Sequence, residues 1–251
     1  MSKKLRNLLE DKIVVKRFVA HLAANGEIGL EIDRIPDLEN RNTKAIDAVA
    51  GKFAIEHTSI DTIPDQREKD AWFMTVVGDI EKEFRTSFAY WLSIVLPYGA
   101  VRTKQNWSEI KSSVRDWIVN ESPLLPDGSH KVEGIAGVPF YLMVHKASDS
   151  LRGVSFSRMI PDDNTLHVRI KEKIDEKLKK LEPYKLNKKI TVLLIESFDT
   201  ALMTKSKMIE AVRVAFPAGV PIVDQLWFAD TSIPENIQFC DFTNQVRAKV
   251  S

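Results

Sequence analysis

Leu5, Leu8, Leu9, Ile13, Phe18 and Leu22 recur at close to helical spacing until Asn25-Gly26 stops the run. The spacing predicts a helix over residues 4–24. "EIGLEIDRI" (27–35) alternates as a strand does, Pro36 ends it, and "LENRNTK" follows as a polar turn. "AIDAVA" (45–50) and "KFAIEHTSI" (52–60) read as two strands of a hairpin about Gly51. Over residues 64–88, Phe73, Val76, Val77, Ile80, Phe84 and Phe88 form one apolar face, and Asp65 with Glu68 has capping-box spacing. "WLSIVLPYG" (91–99) returns as a strand. Asn106 and Glu109 cap a short helix that turns Ile110, Val114 and Ile118 inward.

"SPLLPDGSHKVEG" (122–134) reads as loop, beyond which the alternation is more regular. Strands are predicted at 138–146, 153–160, 190–197 and 222–230, helices at 166–182 and 204–215, and a terminal strand around "IQFC". Strands alternating with helices argue for an α/β fold with a mixed, partly parallel sheet. The loop is the best candidate boundary. It sets residues 1–125 apart from 126–251, the latter either a second unit or further α/β elements of the same domain.

Composition narrows this picture without redirecting it. With 44% hydrophobic and 28% charged residues, the 251-residue chain has the balance of a folded protein with ample core. Its 36 basic and 35 acidic residues give a net charge of +1, so nucleic-acid binding would have to rest on a local patch. One cysteine, Cys240, excludes an internal disulfide framework and a thiol zinc cluster, and suits a reducing cytoplasm. The charged start "MSKKLRNLLEDK" lacks the apolar stretch of a signal peptide, and "FAYWLSIVLPYGAV" is too short to span a bilayer, so a cytoplasmic protein without membrane contact is expected. GxxxxGK, GxGxxG, GxSxG and HExxH are all absent, leaving nucleotide motors, dinucleotide enzymes, common hydrolases and zinc proteases without motif support.

The chemistry sits in the hairpin. Asp47 and Glu56 occupy strand positions among apolar neighbours, where a carboxylate costs several kcal/mol unless a positive charge stands beside it. Strand alternation puts Lys52, Ala54, Glu56 and Thr58 on one face and Phe53, Ile55 and His57 on the other. If Asp47 and Glu56 meet across the hairpin, they form the minimum protein share of a Mg²⁺ or Mn²⁺ site, water and phosphate supplying the rest. The competing reading is a buried ion pair with Lys52 or Arg67. His57, as a side chain, reads as an interior histidine, and Thr58 equally as a strand residue of good β propensity.

The order helix, strand, strand with Asp, strand with Glu, helix, strand over residues 4–97 resembles the core of the restriction-endonuclease-like, PD-(D/E)XK, nuclease superfamily. The resemblance implies an αβββαβ core in the N-terminal part and divalent-metal-dependent hydrolysis of DNA or RNA. It makes Asp47 and Glu56 the metal-binding acids and the His57 carbonyl a third ligand, with Mg²⁺ or Mn²⁺ as cofactor. Glu10 lies where many members carry an extra Glu on the first helix. The family's Lys, two residues beyond the Glu, falls at Thr58, which carries no charge. Lys52, on the Glu56 face, and Gln66, Arg67 and Lys69 at the next helix start are the candidate replacements. The missing Lys is the best argument for the alternative, a nuclease-like fold without catalysis that binds nucleic acid or protein. Pro161-Asp162 with Asp175-Glu176-Lys177 satisfies the written motif too, but lies in the helix marked by Ile170, Ile174, Leu178 and Leu181, where no hairpin fits. Residues 169–189 hold nine basic and four acidic residues, either a solvated helix face or a track for phosphates.

Overall fold

The computed structural model describes residues 3–39, 45–85, 88–149, 151–199 and 202–247, with side chains from residue 12 onward. In chain order the elements are α1 (Lys3–Ala24), α2 (Pro36–Glu39), β1 (Ala48–Ala50), β2 (Phe53–Ser59), α3 (Gln66–Glu83), β3 (Trp91–Pro97) and α4 (Trp107–Asn120). A 3-10 turn (Ser122–Leu124) leads to β4 (Gly128–Val132), β5 (Leu142–Ala147) and β6 (Gly153–Met159). Then come α5 (Leu166–Leu186), β7 (Ile190–Ser197), α6 (Lys205–Ala215), β8 (Gln225–Asp230), β9 (Gln238–Asp241) and α7 (Thr243–Val246). The protein is α/β, with two mixed sheets. No helix among the described residues is long and apolar enough to cross a membrane.

The chain forms two compact units, Met1–Ile63 with Asn164–Ser251, and Pro64–Asp163. This differs from a division near residue 125. The reason is local: the stretch read as a linker is held by its neighbour strand. Lys146 on β5 donates its ammonium to the carbonyls of Ser122, Pro123 and Leu125 and lies over the Tyr90 ring, while residues 128–132 pair with β5 as β4. Three carbonyl acceptors and an aromatic face satisfy a buried ammonium completely.

In the discontinuous unit the sheet order is β1-β2-β7-β8-β9. β2, β7 and β8 run parallel, and β1 and β9 close the edges antiparallel. Helices cover both faces. Phe53, Ile55, Val192 and Leu194 pack on Val14, Val15, Phe18 and Leu22 of α1. The opposite face carries Ala54, Leu193 and Ile195 against Ile170, Ile174, Leu178 and Leu181 of α5 and Met208 and Val212 of α6. The second unit is thus inserted within the crossover from β2 to β7. The strand expected at 27–35 is irregular, joined to β1 by one bridge, Arg34 to Val49. Gly29, in the left-handed region, breaks the run, and the Ile28 side chain is fully exposed.

In the inserted unit the sheet order is β4-β5-β3-β6. Phe73, Val76, Val77 and Ile80 of α3 and Ile110, Val114, Trp117 and Ile118 of α4 pack with Leu92, Ile94 and Leu96 of β3. The Asn106 side chain caps α4 by accepting from the Glu109 amide, as expected. The α3 capping box does not form, because Asp65 is left-handed (φ 57°) and makes no side-chain cap bond. Residues 66–97 were expected to supply the helix and fourth strand beside β2. Instead β3 pairs with β5 and β6, and α5 and β7 take that place. Gly153 opens β6 at φ +120°, where a Cβ would stand 2.5 Å from the Arg85 carbonyl oxygen. That backbone region is essentially restricted to glycine, so Gly153→Ala should destabilise this unit by about 1–3 kcal/mol, measured as a lower urea midpoint.

Candidate functional site

The hairpin turn at Gly51 sets the register Ala48 to Ile55, Val49 to Ala54 and Ala50 to Phe53. Continued by one residue, this register puts Asp47 opposite Glu56, and directly opposed residues share a face. Asp47 precedes the ladder, and its Oδ2 accepts the His57 amide at 2.7 Å. The carboxylate is therefore tied to the backbone of the strand that bears Glu56.

Glu56 is fully buried. Strand alternation aims it at α5, where Lys177 and Lys180, one helical turn apart, both donate to its Oε1 at 2.7 and 2.8 Å. The lysine side chains are only 17% and 13% exposed, so most of the charge in this cluster is out of water. The other oxygen, Oε2, is buried with no hydrogen-bond partner among the described residues. Burial first, and the negative charge of Asp47 second, push the Glu56 carboxyl up to about 7, against the pull of the two lysines. Lys177 moves the other way in charge: despite its own burial, Glu56 and Asp47 raise its pKa and hold the ammonium protonated. A cavity of about 30 Å³, room for roughly one water, adjoins Asp47 and is lined by Lys12, Lys16, Asp37 and the apolar Val15, Ile32 and Ile35.

The remaining candidates separate. Thr58 is buried on the Glu56 side of β2, two residues on. Lys52 does not reach back to Glu56. Four residues of strand span about 13 Å, beyond a lysine's length, and its ammonium pairs with Glu27 at 2.7 Å near the hairpin turn. Gln66 is buried as the first residue of α3, in the inserted unit. Glu31 is exposed, and the Glu10 side chain lies outside the described residues.

The His57 ring faces α1 and sits 3.0 Å from Glu196 Oε2, whose Oε1 accepts from Thr231 at 2.7 Å. The ring is buried, as expected of an interior histidine. The His57 amide points toward Asp47, and the carbonyl of the same residue points to that side as well, since the two groups of one strand residue share a direction.

Lys177 and Lys180 are the residues that sequence reasoning missed. In the sequence they belong to the basic stretch that reads either as a solvated helix face or as a track for phosphates. Their signal was position: each precedes a buried leucine, Leu178 and Leu181, and so flanks the inward stripe of α5. Several other basic residues of 169–189 are paired nearer the surface. Arg169 donates to the Thr62 carbonyl, Lys185 to Asp224, Lys189 to the Gly51 carbonyl, and Lys171 pairs with Asp175.

Chemically, the cluster offers two carboxylates, an unsatisfied buried oxygen and two ammoniums. Asp47, Glu56 and the His57 carbonyl are hard oxygen donors of the kind a Mg²⁺-sized ion takes, with open positions left for water and phosphate. The orphaned Glu56 Oε2 is consistent with such a ligand. Among the described residues no group of three or more His, Cys, Asp or Glu side chains is gathered to hold a metal. No protein-family model, no curated protein and no solved structure matches the chain.

Proposed function

We propose that this chain is a divalent-metal-dependent, nuclease-like hydrolase acting on the phosphodiesters of DNA or RNA. The observation that carries the reading is a fully buried glutamate with an unpartnered oxygen, set opposite Asp47 and against two ammoniums. The order of elements in the discontinuous unit supports it: α1, a bridged extended segment, β1 after Asp47, β2 with Glu56, then α5 and a parallel β7. That order fits the restriction-endonuclease-like pattern once the inserted unit is set aside.

In this reading Asp47, Glu56 and the His57 carbonyl hold Mg²⁺ or Mn²⁺. When bound, such an ion lowers the pKa of a coordinated water and offsets charge on the phosphate. Thr58 stands at the motif's lysine position without a charge. Lys177 and Lys180 bring positive charge to the same carboxylate from the facing helix, so they bind and orient the phosphate anion. They stabilise the negative charge that grows there in the transition state.

The test is cleavage of DNA and RNA with Mg²⁺ or Mn²⁺ and its loss in chelator. Asp47→Asn keeps an oxygen to accept the His57 amide but removes the charge, and should lower the rate by at least about a hundredfold with the fold intact. The second reading, a nuclease-like fold that binds nucleic acid or protein without catalysis, is favoured by one observation: the lysines already neutralise Glu56. Binding of nucleic acid with no cleavage under either metal would make it the better account.

A further inference from the structure

We infer that Lys177 and Lys180 couple cation binding to phosphodiester binding, so that the free protein takes a divalent cation weakly and the phosphodiester complex takes it tightly. This rests on the cation-site reading of Asp47 and Glu56.

The charges lead to it. Two bare carboxylates that accept a divalent ion pass from −2 to neutral. Here two ammoniums stand within hydrogen-bond distance of one Glu56 oxygen, so with Glu56 ionised the cluster of Asp47, Glu56, Lys177 and Lys180 is neutral before any ligand arrives. A cation alone would bring it to +2. Repulsion between that cation and two ammoniums in a largely buried cluster is screened far less than at a surface. A phosphodiester alone would bring the cluster to −1, and both ligands together to +1. Each ligand therefore lowers the cost of the other, and the coupling is reciprocal.

The geometry separates the two jobs. The lysines share Oε1, while Oε2 of the same carboxylate is buried and unpartnered among the described residues. A cation on Oε2 would not need the lysines to unfold away, only to turn their remaining N–H bonds onto an anion. An ammonium has three donors, so each lysine can keep Glu56 and take a phosphate oxygen. Lys12 and Lys16 at the Asp47 cavity, offset in part by Asp37, add to the positive field.

The experiment is Mn²⁺ binding, followed by the electron paramagnetic resonance signal of free Mn²⁺, to the full chain with and without dimethyl phosphate. Wild type, Asp47→Ala, Lys180→Gln and the Lys177→Gln/Lys180→Gln pair are compared. Lys180→Gln keeps Lys177 on Glu56 and is the variant to rely on if the pair does not fold. Without phosphate, Lys180→Gln should bind Mn²⁺ about tenfold more tightly than wild type. Dimethyl phosphate should tighten wild-type binding by a similar factor and the double variant's hardly at all. If Mn²⁺ binds wild type and is lost in Asp47→Ala, but neither the lysine variants nor dimethyl phosphate alters its affinity, the coupling is wrong and the cation site stands. If no protein binds Mn²⁺ with or without dimethyl phosphate, the cation-site reading fails and takes the coupling with it.

Discussion

Glu56→Ala should lower the stability of the metal-free protein by about 3–5 kcal/mol, and abolish any metal-dependent cleavage as well. Relief of repulsion between two bare acids would have left the thermal midpoint of this variant level or raised it. The pairing with Lys177 and Lys180 changes the expectation. Truncation leaves two mostly buried ammoniums without their shared acceptor, and a buried charge that loses its partner costs far more than the pair was worth. Glu56→Gln keeps a carbonyl to accept from the lysines and should lose less than about half as much. Replacing all three groups together, Glu56→Leu with Lys177→Met and Lys180→Met, removes the charges rather than stranding them. That combination should come within about 1 kcal/mol of wild type or exceed it. Urea unfolding in chelator reads all three. A Glu56→Ala protein as stable as wild type would mean that the lysines find water easily and that the cluster is much wetter than its burial implies.

The hairpin, α1, α5 and the strands β7 and β8 were all legible, because their apolar residues repeat with one period over enough positions to fix a face. Ile170, Ile174, Leu178 and Leu181 are the clearest case, and all are buried as expected. The same alternation lets Asp47 and Glu56 meet across the hairpin, and the register puts them on one face, but neither periodicity nor alternation shows what lies across from them. Glu56 and Lys177 are 121 positions apart with an inserted unit between, and no local pattern reports which distant helix lands on a strand. The insertion hid the fold for the same reason. Helix α3 and strand β3 follow the hairpin directly in sequence, so they were the natural continuation of its sheet, yet they build a separate one. Lys52 misled for a simpler reason. Sharing a face is not reach, and a lysine four residues back along an extended strand is too short to bridge the gap.

Stability should also fall as pH rises from about 4.5 to about 7, and Glu56 is the residue responsible. Its carboxyl is pushed up to about 7 in the folded protein, chiefly by burial and then by Asp47, from an ordinary value of 4.5. Between those values the folded state keeps a proton that the unfolded chain has released, so each step up in pH favours unfolding. Below that window both states are protonated, and above it both are ionised, so Glu56 contributes no slope outside it. The full span of the shift is worth about 3 kcal/mol. Lys177 acts in a different range. Its raised pKa contributes stability that is present in full below 10.5 and is lost only as pH climbs through the higher folded value, so it leaves the acid window untouched. Other carboxylates titrate near the lower end of that window, so the comparison that isolates Glu56 is with Glu56→Gln. Free energies of unfolding in chelator at several pH values should give a wild-type curve that drops, relative to Glu56→Gln, by about 3 kcal/mol between pH 4.5 and 7. Parallel curves would mean that the two lysines hold Glu56 ionised throughout. The cluster would then be a plain buried ion pair at every pH tested, with no proton to exchange for a cation.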